Sequence, residues 1–314
     1  MTDRVSEHNH PHEHEHHHHV DEHEHQHEHH HHGDEHQHGH HHHHHEEVGH
    51  HHCYGHGAES RHSRRLPGET ALIIRPYSGI SGDIMVAGLS ALAGIDGPCF
   101  DQMLRDLNLE KLVGRVSLGE RLVNHVLGAG LTVDMPDEHE HRNLSDIVEF
   151  FGRTSLDDAA KDLAVKTFRL LAEAEGAVHG YTPEKVSFHE VGALDSIMDI
   201  GLSAMLLARL GAKRLVCGPL PICDGVIKCQ HGLMLSPAPA VLKLLTGVPV
   251  VSLASRGETV TPTGIALLKA AEVEFGPWPA VTIERQALAY GTRYFEGVPN
   301  GVLFAFGREH EFGQ

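Results

Sequence analysis

From residue 71 onward, hydrophobic positions fall into short blocks separated by Gly, Pro and Asn, and the spacing inside each block predicts its element. Ala71 to Arg75 is a short apolar run ending at Pro76, which reads as a strand. The turn Ser78-Gly79-Ile80-Ser81-Gly82-Asp83 follows, and Ile84 to Ala93 reads as a helix closed by Gly94. Arg115 to Leu122 and Val126 to Met135 read as paired strands, with Asn124 and Gly128 to Gly130 expected to supply turns or a bulge. Ser145 is expected to cap a short helix through Phe151. Ser155, followed by Asp158, is expected to cap a longer helix in which Leu156, Leu163, Phe168, Leu171 and Ala174 recur at roughly helical spacing, ended by Gly176 or Gly180. Ile197 to Leu210 is an apolar helix stopped by Gly211, Arg214 to Cys217 a strand, and the stretch to Pro239 a Pro/Gly-punctuated loop. Ala240 to Leu245 reads as a helix, Val248 to Leu253 as a buried-type strand, Thr263 to Val273 as a helix, and Val281 to Tyr290 and Val302 to Phe306 as late strands. Helices and strands alternate with one hairpin-like stretch, which predicts a mixed α/β (α+β) fold.

Upstream of residue 66 this patterning is lost. Residues 1–62 hold 28 of the 35 His and 13 Asp or Glu against Arg4 and Arg61, so they carry −11 of the formal charge of −18. With almost no aliphatic side chains to bury, the segment is expected to be disordered. The chain therefore divides into a His-rich metal-binding tail and linker, 1–65, and an α/β domain, 66–314. Imidazole suits Ni, Zn, Cu and Co, and runs such as His41, His42, His43, His44 and His45 predict loose binding of several ions rather than selection of one. Cys53 beside His50, His51, His52 and His56 is the one place where a thiolate would tighten such a site. Irregular spacing and interleaved Glu argue against an expression tag. A pH-responsive solubility tail is the other reading, since imidazoles protonate near a pKa of ~6.5. The acidic body has no basic stripe, which argues against a nucleic-acid surface. No apolar run reaches the ~18 residues that span a bilayer, and the N-terminus lacks a signal pattern, so a cytoplasmic location is expected. Five Cys are an odd set and no disulfide framework.

Four stretches carry candidate chemistry. The Ser78–Asp83 turn aims backbone N–H groups at a helix start, an anion site without the Lys of a P-loop. There Asp83 is either a favourable first-turn acid or, with Ser78 and Ser81, part of a site for a ligand bearing phosphate and metal. In Phe188-His189-Glu190-Val191-Gly192-Ala193-Leu194-Asp195-Ser196-Ile197-Met198-Asp199, the two Asp are i,i+4 and share a helix face, with His189 and Glu190 just before it. They form a metal-ligand set or a base beside a metal. The alternative is that Asp195 serves the helix dipole and Asp199 is a paired core carboxylate. Cys217, Cys223 and Cys229 recur every six residues and His231 follows, a soft pair for Ni or Zn if not simply buried thiols. Glu258-Thr259-Val260-Thr261-Pro262-Thr263-Gly264 opens a helix that Thr261 or Thr263 would cap, with free N–H groups able to hold a phosphate.

These stretches, in one order, resemble the LarC family, the nickel-insertion proteins of lactate racemase maturation, also described as nickel-pincer cofactor cyclometallases. The likeness is carried by Ser78–Asp83, Phe188–Ala193, Gly218-Pro219-Leu220-Pro221, Gln230-His231-Gly232-Leu233, Pro237-Ala238-Pro239-Ala240, Val260–Gly264 and Tyr290-Gly291-Thr292-Arg293, over about residues 71–307. The resemblance implies CTP-dependent insertion of Ni(II) into a pyridinium mononucleotide bearing two thiocarboxylates, with two Ni–S bonds and one Ni–C bond formed. On that implication Ser78, Gly79, Ser81, Gly82, Asp83, Thr261 and Thr263 are candidates for the nucleotide. His189, Asp195, Asp199 and His231 are candidates for nickel, and His189 or Glu190 for the base that removes a ring proton.

Two departures stand out. Arg75-Pro76 occupies the place where family members usually carry an acidic residue. The family's C-terminal region, associated with CTP and its divalent metal, would begin near where this chain ends: either a separate C-terminal-half polypeptide supplies it, or the chain is a truncated or frameshift-separated form, or it does another job; a nickel-enzyme recipient is the other expected partner. Three functional classes stay open: an insertase or subunit of one, a nickel storage or delivery protein without turnover, and a zinc hydrolase. The third lacks the His-x-x-x-His pair such enzymes often use.

Overall fold

The computed structural model describes residues 69–135, 142–188, 192–229 and 232–310, all within the unit Cys53–Gln314. In chain order these form β1 (Thr70–Pro76), α1 (Gly82–Ala93), α2 (Gly97–Asp106), β2 (Val116–Val123), β3 (Val126–Val133), β4 (Arg142–Asn143), α3 (Leu144–Gly152) and α4 (Asp158–His179). Then come β5 (Ser187–Phe188), α5 (Leu194–Leu210), β6 (Arg214–Cys217), β7 (Leu220–Ile222), β8 (Gly225–Cys229), β9 (Gly232–Ser236) and α6 (Pro239–Leu244). The last are β10 (Val250–Ser252), α7 (Pro262–Ala270), β11 (Glu274–Phe275), β12 (Val281–Ala289) and β13 (Val302–Glu309). The mixed α/β expectation holds.

A seven-stranded mixed sheet runs in the order β11-β6-β1-β13-β12-β3-β2. β1 lies between β6, which is parallel, and β13, which is antiparallel, so Ile74 faces Cys217 on one side and Phe304 on the other. Strand alternation sends Leu72 and Ile74 into the main core and Ala71 and Ile73 into a small cluster with Ala305. The helices stack their apolar faces on the main core; α5 buries Leu194, Ile197, Met198, Ile200, Leu202 and Leu206, with Asp199 set among them. Among the described residues no helix is long and apolar enough to cross a membrane.

Several local expectations are corrected. Asn143, not Ser145, caps α3: its side chain accepts from Asp146 N at 3.1 Å while its own N–H donates to Asp146 Oδ2 at 2.8 Å, a reciprocal capping box. Asp157, not Ser155, caps α4, accepting from Ala160 N at 2.7 Å, and Gly180 closes it in a left-handed conformation. Gly128 to Gly130 make no turn; they sit mid-strand in β3 with unbroken register against β2, and the hairpin turns on Asn124 and His125, both at positive φ. α2 escapes the hydrophobic pattern because Gly97-Pro98 reads as a turn, whereas Pro is tolerated in a first helical turn, here capped by Asp96 accepting from Cys99 N at 2.9 Å. The stretch before Pro239 contains β7 and the β8–β9 hairpin. β10 is short and exposed rather than buried, since it pairs only with β7 outside the main sheet.

Candidate functional site

The loops after β1 and β12 and before α7 and β13 meet at one end of the sheet, beside the strand flanked by parallel and antiparallel neighbours. Open α/β sheets bind ligands at such an edge. The meeting is fixed by backbone bonds: Ile80 N donates to Thr259 O at 2.9 Å and Thr261 N donates to Ile80 O at 3.0 Å. Gly79 makes this approach possible, for at φ 120° a Cβ there would lie 1.7 Å from the Thr259 carbonyl oxygen. Ser78 Oγ accepts from Gly301 N at 3.0 Å and joins the two ends of the domain.

The result is a cavity of about 380 Å³ onto which the N-termini of α1, α5 and α7 all open. α1 starts at Ser81, whose hydroxyl gives no cap bond and instead donates to Asp83 Oδ1. α7 starts at Thr261, which accepts from Gly264 N at 3.2 Å and shares a 3.0 Å hydroxyl contact with Thr263. α5 starts at Ala193, which has no capping atom, and Asp195 Oδ1 accepts from Ser196 N at 2.6 Å. Three helix dipoles thus place partial positive charge around one space, which favours anions and ionised carboxylates there.

Four carboxyl groups line the same cavity: Asp83, Asp195, Asp199 and Glu258. Asp199 packs against Gly82, where a Cβ would stand 2.4 Å from Asp199 Oδ2. Its Oδ1 is buried with no hydrogen-bond partner. Burial first, and then Asp83 and Asp195, hold its carboxyl well above the usual range, so it keeps its proton to higher pH than an ordinary aspartate. Among the described residues no three His, Cys, Asp or Glu side chains converge closely enough to hold a metal by themselves.

Ser78, Ser81, Gly82, Asp83, Asp195, Asp199, Thr261 and Thr263, singled out from three separate stretches, therefore share one cavity, while Gly79 lies behind it. His189, Glu190, His231 and His41 to His45 lie outside the described residues. Arg75 does not face the cavity; it is buried under Trp278, its Nη1 donating to Gly276 O at 2.7 Å. The Cys periodicity carries no chemistry where it is seen: Cys217 and Cys223 are buried, and burial pushes the Cys217 thiol up to about 12. The side chain of Cys229 is outside the described residues.

Arg121, Glu258, Tyr290 and Arg293 also line the cavity, and the sequence gives none of them a role there. Arg121 Nη2 donates to Leu131 O at 2.8 Å and Nη1 to Gly291 O. Tyr290 is buried, its hydroxyl donating to Val126 O at 3.2 Å. Arg293 pairs with Glu258 Oε2 at 3.3 Å, and this pair also borders a second, larger cavity of about 1230 Å³. For Tyr290 and Arg121 the signal in the sequence is the pair Gly128 and Gly130. A Cβ on the first would stand 2.6 Å from the Tyr290 ring, and on the second 3.0 Å from Arg121 Nε.

Fold and cavity together define an α/β protein with a cavity of small-ligand size where helix N-termini and carboxylates meet. The chain belongs to the nickel insertion protein family, whose model matches residues 72–312. A pyridinium-3,5-bisthiocarboxylic acid mononucleotide nickel insertion protein of Desulfitobacterium hafniense is 37% identical over 233 residues, covering 74% of this chain and 56% of that relative. One of the same name from Geobacillus kaustophilus is 35% identical over 243 residues, 74% of this chain and 58% of the relative. A protein of Syntrophotalea carbinolica, whose name goes no further than nickel insertion, is 39% identical over 229 residues, 73% of this chain and 57% of the relative. The chain thus spans somewhat over half the length of the curated relatives it matches. No solved structure matches it.

Proposed function

We propose that this chain binds a pyridinium-3,5-bisthiocarboxylate mononucleotide in the 380 Å³ cavity and takes part in inserting Ni(II) into it. The observation that carries this reading is the convergence of helix N-termini, suited to anions, with Asp195 and Asp199, suited to an incoming cation, in one space of mononucleotide size. The relatives' printed names supply the identity of the substrate.

In this reading nickel is a substrate. Asp195 and Asp199, joined by His189 and His231, receive the ion; Ser78, Ser81, Gly82, Asp83, Thr261 and Thr263 hold the nucleotide. Formation of two Ni–S bonds uses the thiocarboxylate sulfurs. The Ni–C bond replaces a ring C–H, and the proton released passes to His189 or Glu190 as general base. CTP and its divalent metal are handled outside residues 72–312, and the product passes to a nickel-enzyme recipient. The His-rich tail, 1–65, acts as a loose nickel reservoir in the cytoplasm.

Titration of residues 63–314 with Ni(II) and Zn(II), with and without the bisthiocarboxylate mononucleotide, tests this. A stoichiometric Ni(II) site that tightens with the nucleotide is expected, and it should be lost in Asp195→Asn and Asp199→Asn. Loss of all metal along with the tail would leave nickel storage and delivery as the account.

A further inference from the structure

Arg121 stands half-buried in the cavity wall with its charge unbalanced. Its two bonds go to neutral carbonyls, Leu131 O and Gly291 O, and among the described residues it makes no ion pair. Two carbonyls hold a guanidinium in place without neutralising it. They engage one N–H on each terminal nitrogen and leave three of the five donors for something else. Asp83 is near, since a Cβ on Gly291 would lie 3.6 Å from its Oδ2, but Arg121 bonds the Gly291 carbonyl and forms no ion pair with Asp83. The strand is also cut away for the guanidinium, since a Cβ at Gly130 would meet Arg121 Nε at 3.0 Å and its Cζ at 3.2 Å. A braced, unpaired cation in a half-buried wall lacks an anion, and an Arg fork matches the geometry of a phosphate.

We infer that Arg121 is the phosphomonoester anchor of this cavity, gripping the phosphate of a pyridinium mononucleotide and so turning its ring toward Asp195 and Asp199. The inference rests on the proposed substrate class. On that reading the thiocarboxylate end is placed at Asp195 and Asp199, which receive the cation, and the phosphate at Arg121. Leu131 and Gly291 serve as its fixed mounts, so Arg121 needs little reorganisation when the ligand enters.

The test uses the full chain and two probes: nicotinic acid mononucleotide, which has the pyridinium ring, ribose and phosphate, and the matching riboside without phosphate. Calorimetry should show that Arg121→Met weakens the mononucleotide about tenfold or more, as expected for losing a charged hydrogen-bond pair, while leaving the riboside unchanged. Arg121→Lys, which keeps the charge and loses the fork, should fall between. Inorganic phosphate should compete with the mononucleotide on the wild type and not on Arg121→Met. Equal loss of both probes would show a bracing role only and overturn the inference. So would an undiminished mononucleotide affinity in a wild type that binds it. A wild type that binds neither probe would overturn the substrate reading itself, and the anchor with it.

Discussion

A carboxyl group with one oxygen buried and without a hydrogen-bond partner is a costly choice, and Asp199, packed against Gly82, shows what that cost implies. Its folded-state pKa is raised, so the proton it retains stabilises the fold at low pH, and that stability is lost as pH climbs from the unfolded value through the folded one. At pH 7 the wild type therefore bears a burden that Asp199→Asn escapes. The variant should have the higher Tm at neutral pH, with the difference shrinking toward pH 4. A difference that is flat across that range would show an ordinary carboxylate. Asp199 was legible in the sequence because an acid in an apolar helix stands out. Arg121 was not, because a lone Arg in an amphipathic strand looks like any solvated residue until its neighbours' missing Cβ atoms are seen.

At the scale of elements, glycine placement decides how closely the parts approach. Gly128→Ala would drive a Cβ to 2.6 Å from the Tyr290 ring and 2.8 Å from the Leu288 carbonyl, and should destabilise the domain by about 1–3 kcal/mol as an overpacked site. Gly152→Ala, at the end of α3 with nothing within 4 Å, should be neutral or stabilising by up to about 1 kcal/mol. Urea melts of the two variants compare them directly; equal effects would refute the steric argument. Strand and helix identities were readable from period and punctuation for β1, α1, the β2–β3 hairpin, α5 and β6. The errors arose where chemistry competes locally: Asn143 and Asp157 outbid nearby serines as caps, and Gly97-Pro98 opened a helix instead of breaking one.

Across the whole molecule, protection should follow the sheet. β1 is covered on both edges and both faces, so the amides of Leu72, Ile74, Phe304 and Phe306 should exchange hydrogen most slowly. The β8–β9 hairpin pairs only with itself and exposes Leu233 and Leu235, so it should exchange fastest. The inverse order by mass spectrometry would show that the hairpin, not the sheet, is the stable unit. Which loops meet at the sheet's end was not readable in advance, because strand order depends on pairings between residues more than two hundred positions apart.

That separation has a consequence for how the protein is made. The bond from Gly301 N to Ser78 Oγ and the pairing of β1 with β13 join the first strand to the last. A chain still on the ribosome, short of Val302, has β1 without its antiparallel neighbour and a Ser78 turn without Gly301. The cavity is therefore completed only once the chain has been made through β13 and a long loop has closed. A nascent chain that stops short of Gly301 has its Ser78–Asp83 turn in place, yet no closed space in which to receive a ligand.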